Sequence, residues 1–390
     1  MANRSSSEDT LLVFADDWGR HPSSCQHVVK RLRGEYRIVW ANTIGTRRIR
    51  LNAFTWRRGW EKLKNWKKGI VADREDMWVI DLPMLPALGS HWARAFNRRL
   101  VTSKLARIIR ELELDDPVIL TTLPNIADLI QDLPRQGFIY YCTDDFSHWP
   151  GADRPSLQRA ELNTIEEADI ILAVSDALVE KFAPTGKCQY FPHGVDLDHF
   201  GSASGAIPPD ALNQLPRPRI GFFGLIYEKL DFELLACVAR RFSRGSLVFI
   251  GPEDYCPVWF RELPNVQFVG QKPYADLPSW ISGLDVLLLP YVNDEMIRQS
   301  DPLKLRECLA SGKPTVSIDI PEVRRYFPWI RVAATHDEFV TQVEHALTEV
   351  DEIHASARRK SVEKDGWDSR SATLRSCIDS LSTESEPLAV

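Results

Sequence analysis

Short apolar runs alternate with polar, helix-like stretches over most of the chain, and this alternation starts twice. The first series is Leu11–Ala15, Tyr36–Ala41, Met77–Leu82, Val118–Thr122, Phe138–Cys142, Ile170–Val174 and Cys188–Phe191. A helical stretch, Cys25–Leu32, stands between its first two runs. The second series is Arg219–Phe223, Ser246–Ile250, Val266–Val269, Val286–Pro290, Thr315–Ile318 and Arg331–Ala333. Strands separated by helices build βαβ units and a parallel, doubly wound sheet. The stretch between the two series, Gly201–Arg219 (GSASGAIPPDALNQLPRPR), is rich in Gly, Ser and Pro and reads as a linker. The expected organisation is a Rossmann-like domain over 1–203, a linker over 204–218 and a second Rossmann-like domain over 219–364. A terminal segment, 365–390, is expected to return a helix to the first domain. Ligands of such folds bind beyond the carboxyl ends of the strands, so the two halves are expected to face a central cleft.

The 390 residues suit two cores rather than one. No run approaches the ~20 apolar residues of a membrane span, and the polar start MANRSSSEDT lacks the apolar core of a signal peptide. The seven cysteines are scattered, with no C-x-x-C pair, which predicts neither a disulfide framework nor a zinc knuckle. The expected location is therefore the cytoplasm. The net charge of −6 hides an asymmetry: residues 1–110 carry 22 Lys and Arg against 10 Asp and Glu, and the remainder is strongly acidic. Such a split predicts a basic contact surface in the first domain.

Two segments of the second half carry candidates for an anion-binding site. Arg219–Phe223 runs into a turn at Gly224, and Asp231 stands where it would cap a helix whose apolar positions Leu234, Leu235, Val238 and Phe242 share one face. Strand, glycine turn and helix N-terminus make an anion site, to which Lys229 would add charge. A plain βα turn with a solvated lysine fits the same spacing. The second segment is QSDPLKLRECLASGKPTVS, Gln299–Ser317. Here Ser300 or Asp301 is expected to cap a helix beginning at Pro302 and ending at Gly312. Lys304 and Glu307, three apart, share a face near its start. A lysine there suits a phosphate and a carboxylate suits two ribose hydroxyls; a surface ion pair is the alternative.

SDPLKLRECLASGKPTVS resembles the C-terminal-domain signature of GT-B glycosyltransferases, in particular the family-four-like group of bacterial polysaccharide and lipid-linked saccharide enzymes. YYCTDDFSHWPG, PHGVDLDHF, RIGFFGLIYEKLDFELL and LPNVQFVGQKPYADLPSWISGLDVLLLPY resemble, in order of position, further segments of the same group. The resemblance implies that Glu307 binds the ribose and Lys304 the diphosphate. It also implies that Lys229 and the Gly224 turn support the phosphates, with Ser300 and Asp301 beside them, and that Gln271 to Tyr274 flank the base. It implies no required metal or other cofactor; the nucleotide-sugar is a co-substrate. One departure is notable. Many retaining members carry a glutamate where this chain has Gln299, so an inverting course stays open.

Glycosyl transfer with inversion needs a base. Asp144 and Asp145 follow the Phe138–Cys142 strand, and adjacent carboxylates raise each other's pKa. One of them, with Asp144 preferred, is the candidate base; capping of the following turn is the alternative. Asp17, His21, His27 and His193 are the candidates for the acceptor side. Asp196-Leu-Asp198 has metal-binding spacing but reads as a turn cap.

Residues 44–70 hold nine Lys and Arg and one Glu. Trp56, Trp60 and Trp66 lie near one helical face, with Arg57, Arg58, Lys64, Lys67 and Lys68 among the basic residues around them. This suits either an anionic membrane surface on the inner face of the cytoplasmic membrane or a helix packed on the domain. Nucleic acid is excluded as a partner by the acidity of the rest. The expected function is transfer of a sugar from a UDP- or GDP-sugar to a saccharide or lipid-linked acceptor. Its rivals are a nucleotide-sugar epimerase and a non-catalytic sugar-nucleotide-binding partner of a membrane assembly.

Overall fold

The protein was analysed as a computed structural model that describes residues 9–19, 23–43, 70–82, 91–146, 153–349 and 352–383. Its chain forms two compact units. One comprises Met1–Pro192 with Arg370–Val390, the other His193–Ser369.

The first unit is built on an eight-stranded sheet. Its strands are β1 (Thr10–Ala15), β2 (Arg37–Asn42), β3 (Val71–Arg74), β4 (Met77–Asp81), β5 (Val118–Thr121), β6 (Gly137–Cys142), β7 (Ile170–Ala173) and β8 (Cys188–Tyr190). They lie in the order β3-β4-β2-β1-β5-β6-β7-β8. All neighbours are parallel except β3 with β4. The central strands β1, β5, β6 and β7 are buried along their whole length, which is why they read as unbroken apolar runs. β3 reads VADR and is exposed at every position; an antiparallel edge strand of this kind leaves no apolar signal.

The second unit holds a six-stranded, wholly parallel sheet: β9 (Arg219–Phe223), β10 (Ser246–Ile250), β11 (Val266–Gly270), β12 (Val286–Leu289), β13 (Thr315–Ile318) and β14 (Arg331–Ala333). Its order, β11-β10-β9-β12-β13-β14, is the doubly wound order in which the direction of winding reverses between the first and fourth strands, here β9 and β12. In the first unit the reversal falls between β1 and β5.

The boundaries differ from those expected. Residues 193–203 belong to the second unit, not the first. The Gly/Ser/Pro stretch of 204–218 is not a free linker either. It carries the short helix Asp210–Asn213, whose Leu212 is fully buried in the core of the second unit. Gly283 shows how closely this segment packs, because a Cβ there would lie 2.5 Å from a Leu212 methyl. The terminal helix Trp367–Thr383 leaves the second unit at Ser369 and packs on the first. Ser371 donates to the carbonyl of Val28 at 3.3 Å, and Tyr36 donates to Asp379 at 3.1 Å. Among the described residues no helix is long and apolar enough to cross a membrane.

Candidate active site

The winding reversal of the second unit brings together the ends of β9 and β12. Gly224 follows β9 with φ +138°, a conformation that side chains rarely adopt. Its N–H donates to the Ile250 carbonyl at the end of β10. Gly251, next along β10, has φ +156°, and a Cβ there would lie 1.8 Å from the Gly224 carbonyl oxygen. Two glycines are thus required for the chain ends to meet. Beyond the turn, Leu230 pairs with Tyr291, just past β12.

The helix Leu303–Ser311 begins here, and Lys304 lies against the turn: a Cβ at Gly224 would be 3.0 Å from Lys304 Cε. Lys304 Nζ lies 5.1 Å from the Phe223 ring centre and donates to Glu307 Oε2 at 2.8 Å. Both side chains keep some exposure, 25% and 13%, whereas Leu305, Arg306, Cys308 and Leu309 on the other face are buried. Lys229 donates to Asp294 Oδ2 at 2.6 Å. Burial opposes ionisation of Asp294, but hydrogen bonds from Lys229 and from the Ile297 N–H outweigh it and hold its carboxyl below the usual range. Asp294 also caps the helix Glu295–Gln299 through that N–H. Gly224, Lys304 and Glu307 therefore converge, with Lys229 at the same strand ends. Each lysine is held by a carboxylate, and phosphate oxygens could exchange with those partners.

Two donor candidates are placed otherwise than expected. The Leu303–Ser311 helix has Pro302 at its N-cap and no side-chain cap. Ser300 instead closes the preceding helix, donating to the Ile297 carbonyl at 2.8 Å. Asp301 is turned inward and fully buried, accepting from Arg306 at 2.6 and 2.7 Å and from the His193 N–H at 2.9 Å. Burial works against the Arg306 charge, but Asp301, Tyr326 and Asp365 outweigh it and keep the guanidinium protonated. Both oxygens of Asp301 are occupied within the fold. Gln271 is exposed, and Tyr274 stacks on His199 with ring centres 4.1 Å apart and planes at 12°. Asp196 caps the helix Leu197–Gly201 by accepting from the His199 N–H at 3.1 Å, the turn role expected for it. Arg306 and Asp294 were not among the sequence candidates. For Asp294 the signal available was its cap position ahead of Glu295–Gln299; for Arg306 it was a charge on the apolar face of a helix.

In the first unit the structure separates Asp144 from Asp145. Asp145 is buried and accepts from Lys181 Nζ at 2.9 Å; that ammonium also donates to Glu161 at 2.8 Å. Asp145 is thus ionised and paired, sharing the one ammonium with Glu161. Asp144, at the end of β6, keeps some exposure, and burial with the neighbouring Asp145 charge pushes its carboxyl up to about 7. A group with that pKa is poised to exchange a proton near neutrality.

Asp17 stands beyond β1, where its carbonyl accepts from Gln26 Nε2 at 3.3 Å. The side chain of Gln26 also ties down Asp16, together with Ser23, each at 2.9 Å. Burial raises the Asp16 carboxyl despite these hydrogen bonds. His27 is part-buried in the helix Ser24–Lys30. His193, expected on the acceptor side, lies instead in the second unit and is buried. His21 and the basic candidates Trp56, Arg57, Arg58, Trp60, Lys64, Trp66, Lys67 and Lys68 lie outside the described residues.

Residues 217–349 match the family described as "Glycosyl transferases group 1". A Bacillus subtilis (strain 168) protein, TuaH, assigned by its name to teichuronic acid biosynthesis as a glycosyltransferase, is 28% identical over 228 residues, 55% of this chain. The match spans 57% of that relative's length. The sucrose-phosphate synthase of Thermosynechococcus elongatus has the same fold with a TM-score of 0.72 at 13% identity, covering 96% of this chain and 100% of that one. The Anabaena protein HepE, solved in complex with UDP, superposes with a TM-score of 0.65 at 12% identity, covering 95% and 100%. The doubly wound sheet of 217–349, with Gly224, Lys304 and Glu307 at its winding reversal, is accordingly a glycosyl transferases group 1 domain, and the chain that carries it has the GT-B fold.

Proposed function

We propose that the protein is a glycosyltransferase of surface polysaccharide biosynthesis, taking a UDP- or GDP-sugar as donor and a saccharide or lipid-linked saccharide as acceptor. The observation that carries the donor half is the Lys304–Glu307 pair against the Gly224 turn. The helix N-terminus and two ammonium groups stabilise the charge of a departing nucleoside diphosphate, and Glu307 accepts from ribose hydroxyls. In this reading the cations replace a metal and no cofactor is needed. Tyr274, stacked on His199, offers an aromatic face to the base, and Gln271 its amide.

The bond from the anomeric carbon to the phosphate oxygen breaks, and its electrons leave with the nucleoside diphosphate. An acceptor oxygen bonds to the anomeric carbon and gives its proton to the Asp144 carboxylate. Asp17 and His27 contact the acceptor. TuaH's named role and the UDP bound to HepE support the substrate class.

The basic first 110 residues support an anionic membrane surface as a partner. So do two exposed aromatics of the helix His91–Glu111, Trp92 (88%) and Phe96 (52%), one turn apart and followed by the exposed Arg99.

Incubation with a panel of UDP- and GDP-sugars tests the reading. A transferase releases nucleoside diphosphate at a rate that rises when acceptor is added. An epimerase would convert the donor with no acceptor present, and a binding partner would release nothing; either result contradicts the proposal.

A further inference from the structure

Arg306 is among the largest fully buried side chains of the protein. A buried arginine is rare, and an apolar residue in its place is often as stable or more so, because desolvating the charge offsets the attraction of its partner. Its neighbours on the same helix face, Leu305 and Leu309, show that the site would accept an apolar side chain. What an ion pair supplies and an apolar contact does not is a fixed direction.

The partners of Arg306 show what is being fixed. Asp301 stands two residues ahead of the helix Leu303–Ser311, and both of its oxygens accept from Arg306. That helix has no side-chain cap, so the first turn, which bears Lys304, is held by the Asp301 anchor instead. Asp301 also accepts from the His193 N–H, in the stretch where the chain enters the unit. On its other side, Arg306 Nε lies 3.9 Å from Asp365, whose carboxylate accepts from Tyr326 at 2.7 Å. Asp365 belongs to the stretch where the chain leaves the unit. That stretch is stitched to the entering one: the Val195 N–H donates to the Asp365 carbonyl at 2.9 Å and the Trp367 N–H to the Val195 carbonyl at 3.2 Å. Gly194 is what permits this closeness, since a Cβ there would be 2.5 Å from the Trp367 ring.

We infer that Arg306 is a positioning residue of the donor site: through Asp301 and Asp365 it fixes the first turn of the Leu303–Ser311 helix, and hence Lys304 and Glu307, to the two chain segments that enter and leave the second unit. Arg306 touches no donor atom itself. The inference rests on the donor-site reading above.

Isothermal titration of the full chain with UDP and with GDP separates the two. Wild type binds at least one of them; if it binds neither, the donor-site reading falls and this inference with it. For the nucleotide that binds, Arg306→Met raises Kd about tenfold or more, the worth of about 1.4 kcal/mol. Arg306→Lys, which keeps a charge beside Asp301 but loses the guanidinium's planar fork, raises Kd less than Arg306→Met does. Asp301→Asn/Arg306→Met removes both charges while leaving an acceptor for His193. It provides a folded test should the single variant fail to fold, and it raises Kd likewise. Val343→Ala, a fully buried position on the helix His336–Ala346, controls for lost stability alone and leaves Kd unchanged. Folded Arg306 variants that bind nucleotide as wild type does would overturn the inference, as would an equal rise in Kd for Val343→Ala.

Discussion

Asp144 and Asp145 are adjacent in sequence and opposite in character. One carboxylate is spent on Lys181; the other has its pKa pushed up to about 7 by burial and by its neighbour's charge. Two consequences follow for Asp144→Asn. Transfer falls by about a hundredfold or more, the usual worth of a general base, while nucleotide affinity is unchanged. The wild-type rate rises with pH through about 7, because the base acts only when ionised, and the residual rate of the variant lacks that limb. Stability moves the other way. A carboxyl whose pKa is raised on folding favours the folded state only while protonated, so that contribution is lost as pH rises through about 7. Thermal melts should place Asp144→Asn above wild type at about pH 8, with the gap shrinking as pH falls toward about 4. The sequence shows two carboxylates after a strand, but not which is paired, because Lys181 reaches Asp145 from 36 residues away. Asp301 misleads for the same reason. Its place before a proline and a helix looks like a cap, and only the fold reveals the arginine one turn on that takes it inward.

At the scale of elements, the Gly224 turn depends on Gly251, whose missing Cβ leaves room for the Gly224 carbonyl. Gly251→Ala would bring backbone and side chain into collision, costing about 2 kcal/mol or more, read as a lower midpoint in urea, and it would weaken nucleotide binding through the displaced turn. Lys304→Ala and Glu307→Ala act differently. Their ion pair is part-exposed and contributes under about 1 kcal/mol to folding. Each would change the melting temperature little yet raise the nucleotide Kd about tenfold or more, as loss of a charged hydrogen bond does. Of the fourteen strands among the described residues, thirteen were legible as short runs, most of them because burial forces apolar side chains. β3 was not, since an exposed edge strand carries no such constraint. The stretch of 204–218 was legible as turns but not as packed chain. Gly, Ser and Pro report local backbone preference, whereas its tertiary docking rests on Leu212 and Leu215 in the core and on hydrogen bonds from Arg219 and Ser246 to its backbone.

For the whole molecule, the two doubly wound sheets follow from the restart of one alternating pattern, and the group 1 domain occupies the second of them. The account turns on that second sheet holding a nucleoside diphosphate sugar at its winding reversal. Thermal unfolding in a series of UDP- and GDP-sugars, on wild type and on Lys304→Ala, tests this most directly. The account predicts that donors of one base stabilise wild type by about 2.7 kcal/mol at a hundred times Kd, and that Lys304→Ala loses most of this at the same concentration. Stabilisation by none of them, or stabilisation left intact by Lys304→Ala, would contradict it.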